Sequence, residues 1–156
     1  IYREKYNIYC CTGILFNHES PLRSKEFVTK KIVDTALKIK KQKRLKLELG
    51  NVDIYRDWGW APDYVRAIWL MMQKSKPRDF LIGSGQTHSL KDFVNEVFEY
   101  LNISKKNLKI NVPKYKRKID LRGYKANIAD TQKKLKWKPK LKFKTIIHKM
   151  INNELF

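Results

Sequence analysis

Residues 8–16 read Ile-Tyr-Cys-Cys-Thr-Gly-Ile-Leu-Phe, an almost unbroken apolar run of strand length closed by the polar Asn17. A run that shows neither helical nor alternating period predicts a strand buried on both faces, the habit of strands inside parallel sheets. Upstream, Tyr2 to Asn7 reads as the end of a helix; the chain does not open with Met and has no signal-peptide core, so it is expected to begin inside something longer. Downstream, Asn17 to Ser24 reads as a polar loop containing Pro21. From Glu26 to Gln42, apolar residues at Phe27, Ile32, Val33, Ala36, Leu37 and Ile39 follow a helical period. Leu45 to Leu49 alternates as a short strand that stops at the turn pair Gly50-Asn51.

Pro62 and Asp63 suit the first turn of a helix running through Val65, Ile68, Trp69 and Met72. Phe80 to Ile82 is a short strand ending in Gly83-Ser84-Gly85. Ser89 and Asp92 have the spacing of a capping box, ahead of an apolar face of Phe93, Val97, Phe98 and Leu101. Leu108 to Val112 is a further strand candidate, and residues 128–135 and 143–151 are two terminal helices. Strands that alternate with helices predict an α/β fold.

At 156 residues and 42% hydrophobic content the chain can bury a real core, and no apolar stretch reaches membrane-spanning length. Cys10 and Cys11 are adjacent, which strains a disulfide between them, and neither has partners at metal-ligand spacing. Buried free thiols in a reducing cytoplasm are the expectation, with no metal site. The net charge of +20 admits a nucleic-acid binder. Scattered lysines without a recognition motif argue instead for a solvated basic surface that also attracts other polyanions, a diphosphate included.

No catalytic constellation is encoded. None of the eight tyrosines is followed four residues later by Lys, and the three histidines suggest no nucleophile triad. Gly83-Ser84-Gly85 lacks the third glycine of a dinucleotide fingerprint and reads as a turn.

An ordered set of segments nevertheless resembles the GDP-mannose 4,6-dehydratases of the extended short-chain dehydrogenases. Gly13-Ile14-Leu15-Phe16-Asn17-His18-Glu19-Ser20-Pro21 is the most specific of them, followed by Phe27-Val28-Thr29-Lys30-Lys31-Ile32. Leu49-Gly50-Asn51-Val52-Asp53, Arg56-Asp57-Trp58-Gly59, Asp63-Tyr64-Val65, Trp69-Leu70-Met71, His88-Ser89-Leu90 and Leu135-x-Trp137-x-Pro139 continue it in order. The resemblance implies that residues 1–156 hold the end of a Rossmann-type parallel sheet plus the smaller α/β substrate-binding domain, without the N-terminal NADP-binding half. It implies a cytoplasmic homodimer or homotetramer that oxidises GDP-mannose at C4, eliminates water across C5 and C6, and returns the hydride at C6. The family's catalytic Tyr, Lys, Thr and Glu have no counterparts here, so this chain alone is expected to be inactive. A related nucleotide-sugar epimerase or reductase, a basic nucleic-acid module and a non-catalytic derivative are the competing readings.

By the same resemblance His18 and Arg23 contact NADP, while Asn17, Val28, Lys31, Gly50, Asn51, Arg56, Arg117 and Asp120 hold the GDP-sugar. An amide at Asn17 suits phosphate or ribose, and the guanidinium forks of Arg23, Arg56 and Arg117 suit phosphate. Lys31 near a helix start makes an anion site, and Asp120 would accept from ribose hydroxyls. Each position has a plainer reading: a turn at Asn17 and at Gly50-Asn51, a loop histidine at His18, a surface arginine at Arg23, a solvated Lys31, an Arg56–Asp57 ion pair. Asp120 is shorter than the family's usual Glu, and Arg122 competes with Arg117 for phosphate.

Overall fold

The computed structural model describes residues 1–115 and 123–155. Helices α1 (Tyr2–Lys5), α2 (Val28–Lys41), α3 (Ala61–Met72), α4 (Leu90–Tyr100), α5 (Ala129–Leu135) and α6 (Phe143–Asn152) alternate with short strands. These are β1 (Thr12–Leu15), β2 (Asn17–Glu19), β3 (Leu47–Glu48), β4 (Tyr55–Arg56), β5 (Trp58–Trp60), β6 (Asp79–Ile82), β7 (His88–Ser89) and β8 (Leu108–Lys109). Three pairs are parallel, β1–β6, β2–β5 and β3–β8, and β4–β7 is antiparallel. The α/β expectation holds.

Two apolar cores flank the middle of the chain. In the larger, Ile32, Val33 and Ala36 of α2 meet Phe93 and Val97 of α4 and Ile147 of α6. Trp58 closes it from β5, 5.6 Å from the Phe93 ring and stacked at 6.0 Å on Phe143. The smaller core joins Tyr64, Ala67 and Met71 of α3 to Phe80 and Ile82 of β6 and to Leu135 and Trp137.

Local signals decide the helix starts. The Ser89 hydroxyl accepts from Asp92 N (3.0 Å) and the Asp92 carboxylate accepts from Ser89 N (2.9 Å), so the capping box forms with Asp in place of Glu. Asp63 in the first turn of α3 accepts from Lys140 N, while its carbonyl takes the Trp137 indole N–H at 3.1 Å. Those two bonds hold Trp137 of the Leu-x-Trp-x-Pro segment and the residue after its proline against the start of α3. Gly59 is required because a Cβ there would lie 2.3 Å from the Tyr64 ring.

Three expectations need correction. Residues 8–16 form a strand only over Thr12–Leu15, and it is not buried on both faces: Ile14 is 52% and Leu15 40% exposed. Among the described residues β1 pairs with β6 alone, so the cover its apolarity calls for is missing from this surface. Cys10 is exposed and Cys11 half-buried rather than both buried, for the same reason. Asn17–Glu19 is strand β2, not loop; its pairing partner Trp58–Trp60 lies far along the sequence, beyond the reach of local composition.

Candidate functional site

A cleft opens where β2, the start of α2 and β4–β5 meet. It consists of two adjoining hollows of about 380 Å³ and 270 Å³ that share Glu26, Val28 and Ile54. Asn17, Arg23, Thr29, Arg56 and Trp58 line the first. Lys31, Leu49, Gly50, Asn51, Leu90 and Tyr115 line the second.

Helix α2 points its N-terminus at the cleft. Its N-cap, Phe27, supplies no side-chain acceptor and its first turn holds no acidic residue. The first-turn amides, together with the helix dipole, therefore favour an anion. Cations surround that point. The Arg23 guanidinium lies 3.5 Å over the Phe27 ring and its Nε 3.6 Å from Glu19 Oε2; this Nε is buried and makes no hydrogen bond among the described residues. Lys31 Nζ donates to Glu48 O (2.9 Å) and sits 3.6 Å over the Tyr115 ring. Arg56 Nη1 donates to Tyr55 O at 2.7 Å. Gly50 admits Tyr115 to the wall, since a Cβ at Gly50 would be 2.4 Å from Tyr115 O.

Glu19 sets the charge balance behind the first hollow. Burial pushes its carboxyl up to about 7, against the pull of Arg23 and the hydrogen bond from Thr29 Oγ1 (2.9 Å). The folded value lies above the ordinary carboxylate value, so the protonated form contributes stability at low pH that is lost as pH rises through about 7. The Glu19 contribution to stability is expected to fall by on the order of 3 kcal/mol between about pH 4.5 and 7, so the difference between wild type and Glu19→Gln should change by that amount across the range. Urea titrations across this range check it; parallel profiles for the two proteins would contradict it.

Seven of the ten residues anticipated from the sequence thus line one cleft: Asn17, Arg23, Val28, Lys31, Gly50, Asn51 and Arg56. His18 stands apart, its Nδ1 donating to Phe16 O (3.0 Å) and its ring 5.2 Å from that of Tyr64. Arg117 and Asp120, with the competing Arg122, lie outside the described residues. Gly83-Ser84-Gly85 is a turn whose amides are already occupied: Ser84 N and Gly85 N both donate to the Asp57 carboxylate. Among the described residues no group of three or more His, Cys, Asp or Glu could hold a metal.

The family model for GDP-mannose 4,6 dehydratase matches residues 1–150. The chain belongs to this family. An Arabidopsis thaliana relative named GDP-mannose 4,6 dehydratase 1 is 40% identical over 99% of the chain. The match occupies 43% of that relative, so the chain spans less than half its length. Among solved structures, dTDP-glucose 4,6-dehydratase from Bacillus anthracis, in complex with NAD, superposes with a TM-score of 0.84 at 22% identity. That match covers 97% of this chain and 46% of the other. RMD from Pseudomonas aeruginosa, complexed with NADPH, gives 0.85 at 15% identity over 99% and 50%. At such identities the likeness is one of fold. For a member of the GDP-mannose 4,6-dehydratase family, the cleft also contains residues outside the family-like segments: Glu26, Ile54 and Tyr115. Glu26 and Tyr115 gain meaning only from their placement beside Lys31, for which no local pattern speaks.

Proposed function

We propose that this chain is the GDP-sugar-binding portion of a GDP-mannose 4,6-dehydratase, the enzyme that converts GDP-mannose to GDP-4-keto-6-deoxy-mannose with NADP. The convergence of Asn17, Arg23, Lys31 and Arg56 on one cleft at the start of α2 carries the reading. Cationic side chains beside uncapped helix amides suit phosphate groups, and the neighbouring apolar hollow suits a base.

Asn17 orients the sugar or its phosphate, Arg56 and Lys31 hold the diphosphate and nucleoside, and Val28, Gly50 and Asn51 border the guanosine; Arg117 and Asp120 belong to the same set. The NADP contact falls to Arg23 and His18. Arg23 lines the first hollow, and the planar fork of its guanidinium suits a phosphate group of that cofactor. When bound, the nicotinamide supplies hydride transfer; the residues of this chain supply binding and orientation.

The dinucleotide half would cover the apolar surface that this chain leaves open. Val65 and Trp69 of α3 are 64% and 61% exposed, alongside Ile14 and Leu15 of β1. Single exposed apolar residues are ordinary, but Val65, Ile68, Trp69 and Met72 share one face of α3, and an apolar face of that kind suits an interface. We further assign the complete enzyme to the cytoplasm, as a homodimer or homotetramer; among the described residues no helix is long and apolar enough to cross a membrane.

Turnover is the test of incompleteness. The 156-residue chain with GDP-mannose and NADP is expected to form no 4-keto product, because no Tyr-x-x-x-Lys pair is encoded to move the proton. Calorimetry is expected to detect GDP binding that duplex DNA does not displace. DNA binding that weakens steeply with salt, without GDP competition, would overturn the reading in favour of a nucleic-acid module.

A further inference from the structure

The second hollow of the cleft is built like a slot for a flat heterocycle. Leu49, Ile54 and Leu90 make its lining apolar, and about 270 Å³ is the scale of a base rather than of a whole nucleotide sugar. Its polar groups are few and unlike one another: the Lys31 ammonium, the Asn51 amide and the Glu26 carboxylate. Lys31 is held in place by Glu48 O and the Tyr115 ring, and Asn51 Oδ1 accepts from Asp53 N at 2.9 Å. Glu26 has a different character. It is exposed, its backbone N–H faces Ser24 Oγ, and it is one of the three residues that line both hollows.

A carboxylate among cations at an anion site needs a reason, because it weakens diphosphate binding unless it recognises something else. Two carboxylate oxygens are a pair of acceptors. Among the common bases only guanine offers a matching pair of neighbouring donors, N1–H and the 2-amino group. Adenine turns a lone pair at N1 toward such a group, and uracil flanks its single N–H with two carbonyl oxygens. Lys31 and the Asn51 amide, which line the same hollow, complement the O6 and N7 acceptors of the same base.

We propose that Glu26 is the base-selecting residue of this cleft, its carboxylate accepting hydrogen bonds from N1–H and the 2-amino group of guanine. The proposal rests on the reading of the cleft as a guanosine-diphosphate site, and it adds the group that makes the site prefer guanine. Because Glu26 stands at the rim and water competes for it, the effect is one of preference rather than of all-or-none binding.

The experiment is calorimetric titration of the 156-residue chain, wild type, Glu26→Gln and Glu26→Ala, with GDP, IDP, ADP and UDP. IDP is GDP without the 2-amino group. Wild type is expected to favour GDP over IDP by about tenfold, as one charge-assisted hydrogen bond allows. In both variants GDP affinity should fall about ten- to thirtyfold, IDP affinity should fall less, and the GDP-to-IDP ratio should approach one. Unfolding midpoints of the three proteins are expected to agree, since Glu26 is exposed. GDP binding with an unchanged GDP-to-IDP ratio in the variants overturns the proposal while leaving the nucleotide site standing. An equal loss for all four nucleotides overturns it too, placing the carboxylate on the ribose. A wild-type chain that binds none of the four overturns the nucleotide reading of the cleft and this proposal with it.

Discussion

Replacing Asp57 by Ala is expected to destabilise the chain by about 4 kcal/mol or more. Asp57 is 1% exposed, and its carboxylate accepts three backbone N–H groups: Ser84 at 2.7 Å, Gly85 at 2.9 Å and Ala126 at 3.2 Å. The three come from two separate segments, the turn after β6 and the approach to α5. Trp58, the next residue, packs in the larger core, while β6 belongs to the smaller one. Asp57 therefore joins the two cores through hydrogen bonds that no other side chain at that point can replace. Alanine leaves three amides without an acceptor, each costing about 1–3 kcal/mol where water does not reach. Asparagine keeps one carbonyl oxygen but turns N–H groups toward N–H groups, so Asp57→Asn should cost about half as much. Urea unfolding followed by tryptophan fluorescence measures both; a loss below about 1 kcal/mol for Asp57→Ala would sink the account.

The same residue shows what a sequence can and cannot disclose. Arg56-Asp57-Trp58-Gly59 is legible as a motif, but the work of Asp57 is visible only once Ser84 and Ala126 are in place. Features written in neighbouring residues could be read directly. The Ser89–Asp92 capping box and the apolar stripe of α2 depend on spacings of three and four residues, and both elements form as expected. Strand β2 could not be read, because Asn17, His18 and Glu19 are polar and their pairing with Trp58–Trp60 is non-local. The exposure of β1 escaped for the opposite reason: its apolar run encodes a need for cover, and cover is a property of what lies beside it. In the cleft, Asn17, Lys31 and Arg56 were legible through motifs. Glu26 and Tyr115 were not, since a carboxylate and a phenol ring take their roles from the hollow that the fold forms around them.

Arg56→Ala is expected to lower GDP affinity about thirty- to a hundredfold while changing GMP affinity less than threefold. Arg56 lines the first hollow, on β4, and its Nη1 bond to Tyr55 O fixes part of the side chain before any ligand arrives. An arginine already ordered loses little freedom on binding, and its planar fork matches two phosphate oxygens at once. Consecutive residues of an extended segment project to opposite sides. Arg56 can thus serve the cleft while Asp57 serves the junction between the cores. The contrast between GDP and GMP is the informative part, because a β-phosphate ligand is felt by one nucleotide and not the other. Lysine keeps the charge and loses the fork, so Arg56→Lys should retain GMP binding and recover part, not all, of the GDP affinity. Titrations of the three proteins with both nucleotides, alongside their unfolding midpoints, separate the possibilities. Equal losses for GDP and GMP together with a lowered midpoint would make Arg56 a structural residue of β4 and remove the diphosphate from its side of the cleft.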